Sequence, residues 1–117
     1  MRPGRTLPLL AVLAACAPAP PDRAAVVAEA VRATPSDSRL AELYQHSCRA
    51  CHTVVASGAP LTHDQAAWRA RWEKGLPALL SNAVQGYNGM PAGGQCVRCS
   101  SSDLEALIRF MAAEETP

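Results

Sequence analysis

Aromatic residues are scarce: Trp68, Trp72, Tyr44, Tyr87 and Phe110 are the full set in 117 residues. Alanine supplies much of the apolar content, so the core has few large side chains to draw on. A chain this short buries only a modest share of its surface and often needs a staple. An excess of one charge is missing as well, with 11 basic against 10 acidic residues and a formal net charge of +1. Setting aside Arg2 and Arg5 near the start leaves nine against ten, net −1. Nucleic acid calls for a concentrated basic face, so it is excluded as a partner. No apolar run approaches the roughly 20 residues of a membrane-spanning helix. No stretch alternates apolar and polar residues long enough to read as a strand. The length and pattern predict one all-α domain.

What is present centres on Cys48-Arg49-Ala50-Cys51-His52. Two cysteines one helical turn apart, followed at once by histidine, form the attachment signature of c-type haem. Two thiols at that spacing can reach the two vinyl groups on one porphyrin edge, and the next residue can turn its imidazole beneath the iron. The same C-x-x-C is also half a zinc site. Four residues are candidates for the other axial position: Met90, Met111, His46 and His63. Met111 continues an apolar helical stripe and is assigned to the core. His46 reads as a surface residue of its helix, and His63 lies too few residues from His52 to reach the opposite face. Met90 sits in the turn-rich Tyr87-Asn88-Gly89-Met90-Pro91 loop, where Gly89 and Pro91 would let the backbone approach the porphyrin and hold it rigid there. A thioether opposite imidazole favours ferrous iron. With both axial positions filled, electron transfer is preferred over catalysis.

Taken in order, residues 1–15 read as an export leader: Arg2 and Arg5, the apolar run Leu7 to Leu13, then small residues. Leu13-Ala14-Ala15-Cys16 resembles a bacterial lipoprotein cleavage box, which implies lipidation of Cys16. Acyl chains would hold the protein at a membrane, each buried methylene contributing about 0.8 kcal/mol. Ala17 rather than Asp follows the cysteine, which leans towards the outer membrane. Residues 16–36 form a Pro/Ala-rich linker in which Asp22 to Ala33 is expected to make a weak helix without chemistry of its own. The globular domain spans residues 37–117. Leu40, Leu43 and Tyr44 recur at helical spacing in a helix expected to run into Cys48. Thr62 and Gln65 have the form of a capping box, opening a helix with Trp68 and Trp72 on one face that stops at Gly75. Leu76, Leu79, Leu80, Ala83 and Val84 form the inward face of the next helix, ended by Gly86. Ser102 and Glu105 form a second capping box, before a helix burying Leu104, Leu107, Ile108 and Met111.

These residues resemble the class I c-type cytochromes, and most closely the small bacterial cytochrome c-five group. The resemblance runs from Leu40 to Met111. It rests on Tyr44 ahead of the haem signature, Gly58-Ala59-Pro60, Ala66-Ala67-Trp68, Tyr87-Asn88-Gly89-Met90-Pro91 and Cys96-Val97-Arg98-Cys99-Ser100. It implies about four short helices wrapped around one covalently attached haem c, with Cys48 and Cys51 as the thioether links and His52 and Met90 on the iron. By the same resemblance the Pro60 carbonyl accepts the other imidazole hydrogen of His52, and Trp68 and Arg71 lie near a haem propionate. Two positions depart from the family. Leu40 stands where many relatives carry glycine at the crossing of the first and last helices, and Gln95 separates Gly93-Gly94 from Cys96.

With that resemblance in place the five cysteines divide into Cys16 for lipid, Cys48 and Cys51 for haem, and a Cys96–Cys99 disulfide, which an exported compartment permits. The implied function is a periplasmic, membrane-tethered monohaem electron carrier rather than an enzyme. Its expected partners are quinol–cytochrome c oxidoreductases, terminal oxidases, or periplasmic dehydrogenases and reductases. An alternative is a dedicated electron-accepting subunit of one such oxidoreductase. A third reading is a zinc-ribbon-like module using Cys48, Cys51, Cys96 and Cys99, although 44 residues separate the pairs, against about 15–20 in the common pattern.

Overall fold

The computed structural model describes residues 1 and 19–114, and among these described residues there are six helices and two 3-10 turns. The leader and Cys16 lie outside the described residues. Helix α1 is Arg23–Arg32, capped by Asp22, whose carboxylate accepts the Ala24 N–H at 3.1 Å. It stops at Ala33 because the following Thr34-Pro35 disfavours helical backbone. The weak helix expected here is present, and it is docked. Ala30 is fully covered, Arg23 pairs with Asp64 at 2.8 Å, and the Arg49 guanidinium donates to the Val31 carbonyl at 2.9 Å.

Helix α2, Ser38–His46, is capped by Asp37 and buries Leu43 and Tyr44. It does not run into Cys48. Ser47 breaks it, with φ −136° and ψ −75°, and its hydroxyl donates back to the Leu43 carbonyl at 2.6 Å. Such back-bonding competes with helix propagation. The chain restarts as the single turn α3, Arg49–His52, and a 3-10 turn at Val55–Ser57 leads to the loop ending in Pro60.

Helix α4 is Gln65–Trp72, and its cap is Asp64, not Thr62. The Thr62 hydroxyl is already taken by Tyr44 at 2.8 Å in a fully buried pair, and His63 at φ +64° turns the chain before the helix begins. Asp64 is left to accept the Ala67 N–H at 3.2 Å. Helix α5, Leu76–Gln85, has proline in its first turn, where its missing N–H is harmless. Leu79 and Ala83 face inward as expected, whereas Val84 faces out at 45 % exposure.

The second 3-10 turn, Ala92–Gln95, holds Gly93, Gly94 and Gln95 all at positive φ, so the extra Gln95 is absorbed by a left-handed residue. Helix α6, Ser101–Ala112, carries a capping box set two residues earlier than Ser102 and Glu105. Ser100 Oγ accepts the Asp103 N–H at 3.2 Å, and Asp103 accepts the Ser100 N–H at 2.8 Å. Arg39 fixes the choice by gripping both oxygens of Asp103.

Helices α2, α4, α5 and α6 form the wrap that the family resemblance implies, with α1 and α3 added to it. Their buried faces share one core around Tyr44, Trp68, Leu79, Leu107 and Met111. The α2–α6 crossing is made with Leu40 half-buried, and Phe110 meets Tyr44 edge-on at 5.1 Å between centroids. Among the described residues there is no strand, only an isolated bridge between Tyr87 and Met90.

Candidate haem-binding site

The α3 turn brings Cys48, Cys51 and His52 together. Cys48 is buried beside the Ser47 hydroxyl and Cys51 is exposed, and both are free thiols. Burial pushes the Cys48 thiol above the usual range, so it is protonated at neutral pH. His52 is 7 % exposed, and its Nδ1 lies 2.7 Å from the Pro60 carbonyl. A carbonyl can only accept, so Nδ1 carries the hydrogen and Nε2 keeps its lone pair. Burial lowers the pKa of this imidazole, the Pro60 carbonyl opposes the shift, and the nearby Arg71 charge adds to it. The side chain is therefore a neutral base with one nitrogen directed and the other available, as a metal-ligating histidine requires.

The segment after Pro60 is pinned along its length. The Thr62 N–H donates to the His52 carbonyl at 2.8 Å and the His63 N–H to the Met111 carbonyl at 2.7 Å. The Trp68 indole N–H donates to the Leu61 carbonyl at 2.8 Å, and the Trp68 ring lies 6.0 Å from the His52 ring at 22°. Trp68 thus stands against the imidazole with its only donor engaged by backbone. Arg71 is half-buried and gives one N–H to the Ala67 carbonyl at 2.7 Å. Among the described residues no carboxylate pairs with it.

Met90 sits on a separate element and packs against the same core as Cys48 and Trp68. Its backbone N–H and carbonyl both bond to Tyr87, at 2.9 and 3.0 Å, closing the tight turn Tyr87 to Met90. A Cβ built on Gly89 would meet no protein atom within 4 Å. Two other glycines make the close contacts to Met90 itself. A Cβ on Gly86 (φ +85°) would meet the Met90 carbonyl at 3.1 Å, and one on Gly94 (φ +58°) would meet the Met90 methyl at 3.1 Å. Sequence reasoning passed over both, and the signal available was the spacing of glycines around the methionine.

Cys96 and Cys99 are joined in a disulfide just before α6. That corrects the zinc-ribbon alternative. Two of its four thiols are consumed by each other, and the described residues contain no group of three or more His, Cys, Asp or Glu able to hold a metal ion. Two free thiols on one turn, a neutral imidazole with Nε2 unspent, and a thioether seated on glycine are a donor set that fits haem c.

A family model described as "Cytochrome C oxidase, cbb3-type, subunit III" matches residues 35–111. Cytochrome c5 of Ectopseudomonas mendocina is 42 % identical over 66 residues, which cover 55 % of this chain and 76 % of that protein. The chain is a small class I c-type cytochrome. Cytochrome c5 of Azotobacter vinelandii is 41 % identical over 66 residues, covering 55 % of this cytochrome and 80 % of its relative. Cytochrome c-555 of Chlorobaculum tepidum is 32 % identical over 75 residues, covering 61 % and 69 %. Membership brings one covalently bound haem c and an electron-transfer role with redox proteins as partners. Helix α1 lies ahead of the matched region. No helix among its described residues is long and apolar enough to cross a membrane.

Proposed function

We propose that this cytochrome carries single electrons in the bacterial periplasm, tied to a membrane through Cys16, with haem linked to Cys48 and Cys51 and ligated by His52 and Met90. The observation that carries the reading is the 2.7 Å contact from His52 Nδ1 to the Pro60 carbonyl, on the same turn as two free thiols. Bound there, the iron supplies one-electron chemistry between its ferrous and ferric states. Cys48 and Cys51 hold one porphyrin edge, His52 presents Nε2, and Met90 presents sulfur from its closed turn. Were His52 and Met90 both to hold the iron, it would have no position left for a substrate and would serve one-electron transfer alone. Arg71, without a carboxylate among the described residues, is available to a propionate.

The absorption spectrum of protein from a host able to attach haem, with and without dithionite, tests this together with pyridine haemochrome analysis. One haem c per chain is expected, and a colourless product overturns the reading. Met90→Ala should open the iron to imidazole, and an unchanged spectrum and potential would remove Met90 from the ligand set. Labelled fatty acid should enter the wild type and not Cys16→Ala, and any other pattern removes the tether.

A second reading is supported by the matched family model, whose description is that of an oxidase subunit. In it the cytochrome is the electron-accepting subunit of a larger oxidoreductase. Stoichiometric co-purification that survives high salt favours this version, while salt-sensitive contact favours a free carrier.

A further inference from the structure

We propose that Trp68, together with Tyr44, is the positioning residue of His52, holding the Pro60–Thr62 segment so that the Pro60 carbonyl stays on the imidazole Nδ1–H. The inference rests on the reading of His52 as an axial ligand. Proline has no N–H, so Pro60 cannot be anchored through its own amide. The anchors lie on the next two residues. Leu61 is 1 % exposed and its carbonyl accepts the Trp68 indole N–H at 2.8 Å. The hydroxyl of the fully buried Thr62 pairs with Tyr44 at 2.8 Å, while its N–H returns to the His52 carbonyl. Trp68 therefore reaches the imidazole by two routes, through the ring at 6.0 Å and through the Leu61 carbonyl.

This differs from a propionate role for the indole. To serve a propionate, Trp68 would have to leave a carbonyl on a buried residue without its partner, which folded proteins avoid. The consequence reaches the iron because the hydrogen bond at Nδ1 raises the basicity of the ligating imidazole. A more basic imidazole favours ferric iron. Loosening the Pro60 contact should therefore raise the reduction potential.

The test compares the full haem-loaded chain as wild type, Trp68→Phe and Trp72→Phe. Phenylalanine at 68 keeps a ring beside the imidazole and loses the N–H. Trp72 shares the same helix, is half-buried, and carries the Arg109 guanidinium over its ring at 5.8 Å. Proton NMR of the ferrous protein reads the His52 Nδ1–H and its exchange with solvent, and voltammetry reads the potential. Exchange at least ten-fold faster and a higher potential are expected in Trp68→Phe, with Trp72→Phe matching the wild type. Unchanged exchange in Trp68→Phe overturns the proposal even if thermal stability falls. So does an effect confined to the pH dependence of the potential, which would assign the indole to a propionate. Should Trp68→Phe not mature, Tyr44→Phe carries the same measurement, with exchange at least three-fold faster expected and no change overturning it. A wild type with no shifted imidazole N–H removes the ligand reading itself. A wild-type signal untouched in the variants removes only the positioning role.

Discussion

Gly94 sits close enough to Met90 that one methyl group separates a seated thioether from a displaced one. Its φ of +58° disfavours any L side chain, and an added Cβ would lie 3.1 Å from the Met90 methyl. Gly93 shares the backbone problem at φ +66° but faces open space. Each alanine substitution should destabilise the fold by about 1 kcal/mol through backbone conformation alone. Only Gly94→Ala should also shift the reduction potential and strengthen binding of exogenous imidazole, and equal potentials in the two variants would deny the contact any part in ligation. Thr62 makes a second single-residue case, since it and Tyr44 are both fully buried and satisfy each other. Thr62→Val strands the Tyr44 hydroxyl and should cost about 1–3 kcal/mol in guanidinium unfolding of the holoprotein.

Helix termini decide the elements here, and they respond to different variables. Asp64 both caps α4 and receives Arg23 from α1, with its side chain only 8 % exposed, whereas Arg23 is 58 % exposed. Asp64→Ala should therefore cost about 1 kcal/mol or more as a lost cap. Arg23→Ala should cost well under 1 kcal/mol, as exposed pairs do. Denaturation midpoints of the two holoproteins check the order. At α6 the Ser100 backbone N–H and hydroxyl hold the Asp103 carboxyl below its ordinary value of 3.8. A carboxylate with a depressed folded pKa contributes stability that is complete above the unfolded pKa and disappears as pH falls through the folded one. Melting of the wild type should weaken below about pH 4, and Asp103→Asn should flatten that limb. The apolar spacing made most of these helices legible in the sequence, Leu104, Leu107, Ile108 and Met111 most plainly. The caps were less so. Thr62 matches a capping pattern locally, and only a tertiary bond to Tyr44, 18 residues away, removes it from that task. The docking of α1 was hidden for the same reason, because Arg23 and Asp64 are 41 residues apart and neither looks unusual alone. At the site, the C-x-x-C-H spacing and the glycine-flanked methionine were readable, while the Trp68 and Tyr44 anchors depend on loop geometry that no spacing encodes.

The molecule as a whole has more wrapping than filling. Its largest fully buried side chains are Tyr44, Leu61 and Leu107, with Thr62 among them. At the same time Val54 and Val55 just after His52, and Val84 and Tyr87 just before Met90, are all between 45 and 52 % exposed. These exposed apolar residues flank both proposed ligands in sequence. Haem should accordingly act as the staple that a core this small requires. The Cys96–Cys99 disulfide is the other covalent restraint, but it closes a loop of only a few residues and is worth about 2 kcal/mol on chain entropy. The two restraints should separate on testing. A Cys96→Ala/Cys99→Ala chain should mature, hold haem, and unfold at somewhat lower denaturant. A Cys48→Ala/Cys51→Ala chain should lose most of its helical circular dichroism and its cooperative melt. A haem-free chain that melts cooperatively with full helix content would show that the helices pack without the cofactor, and the staple account would then have to be given up.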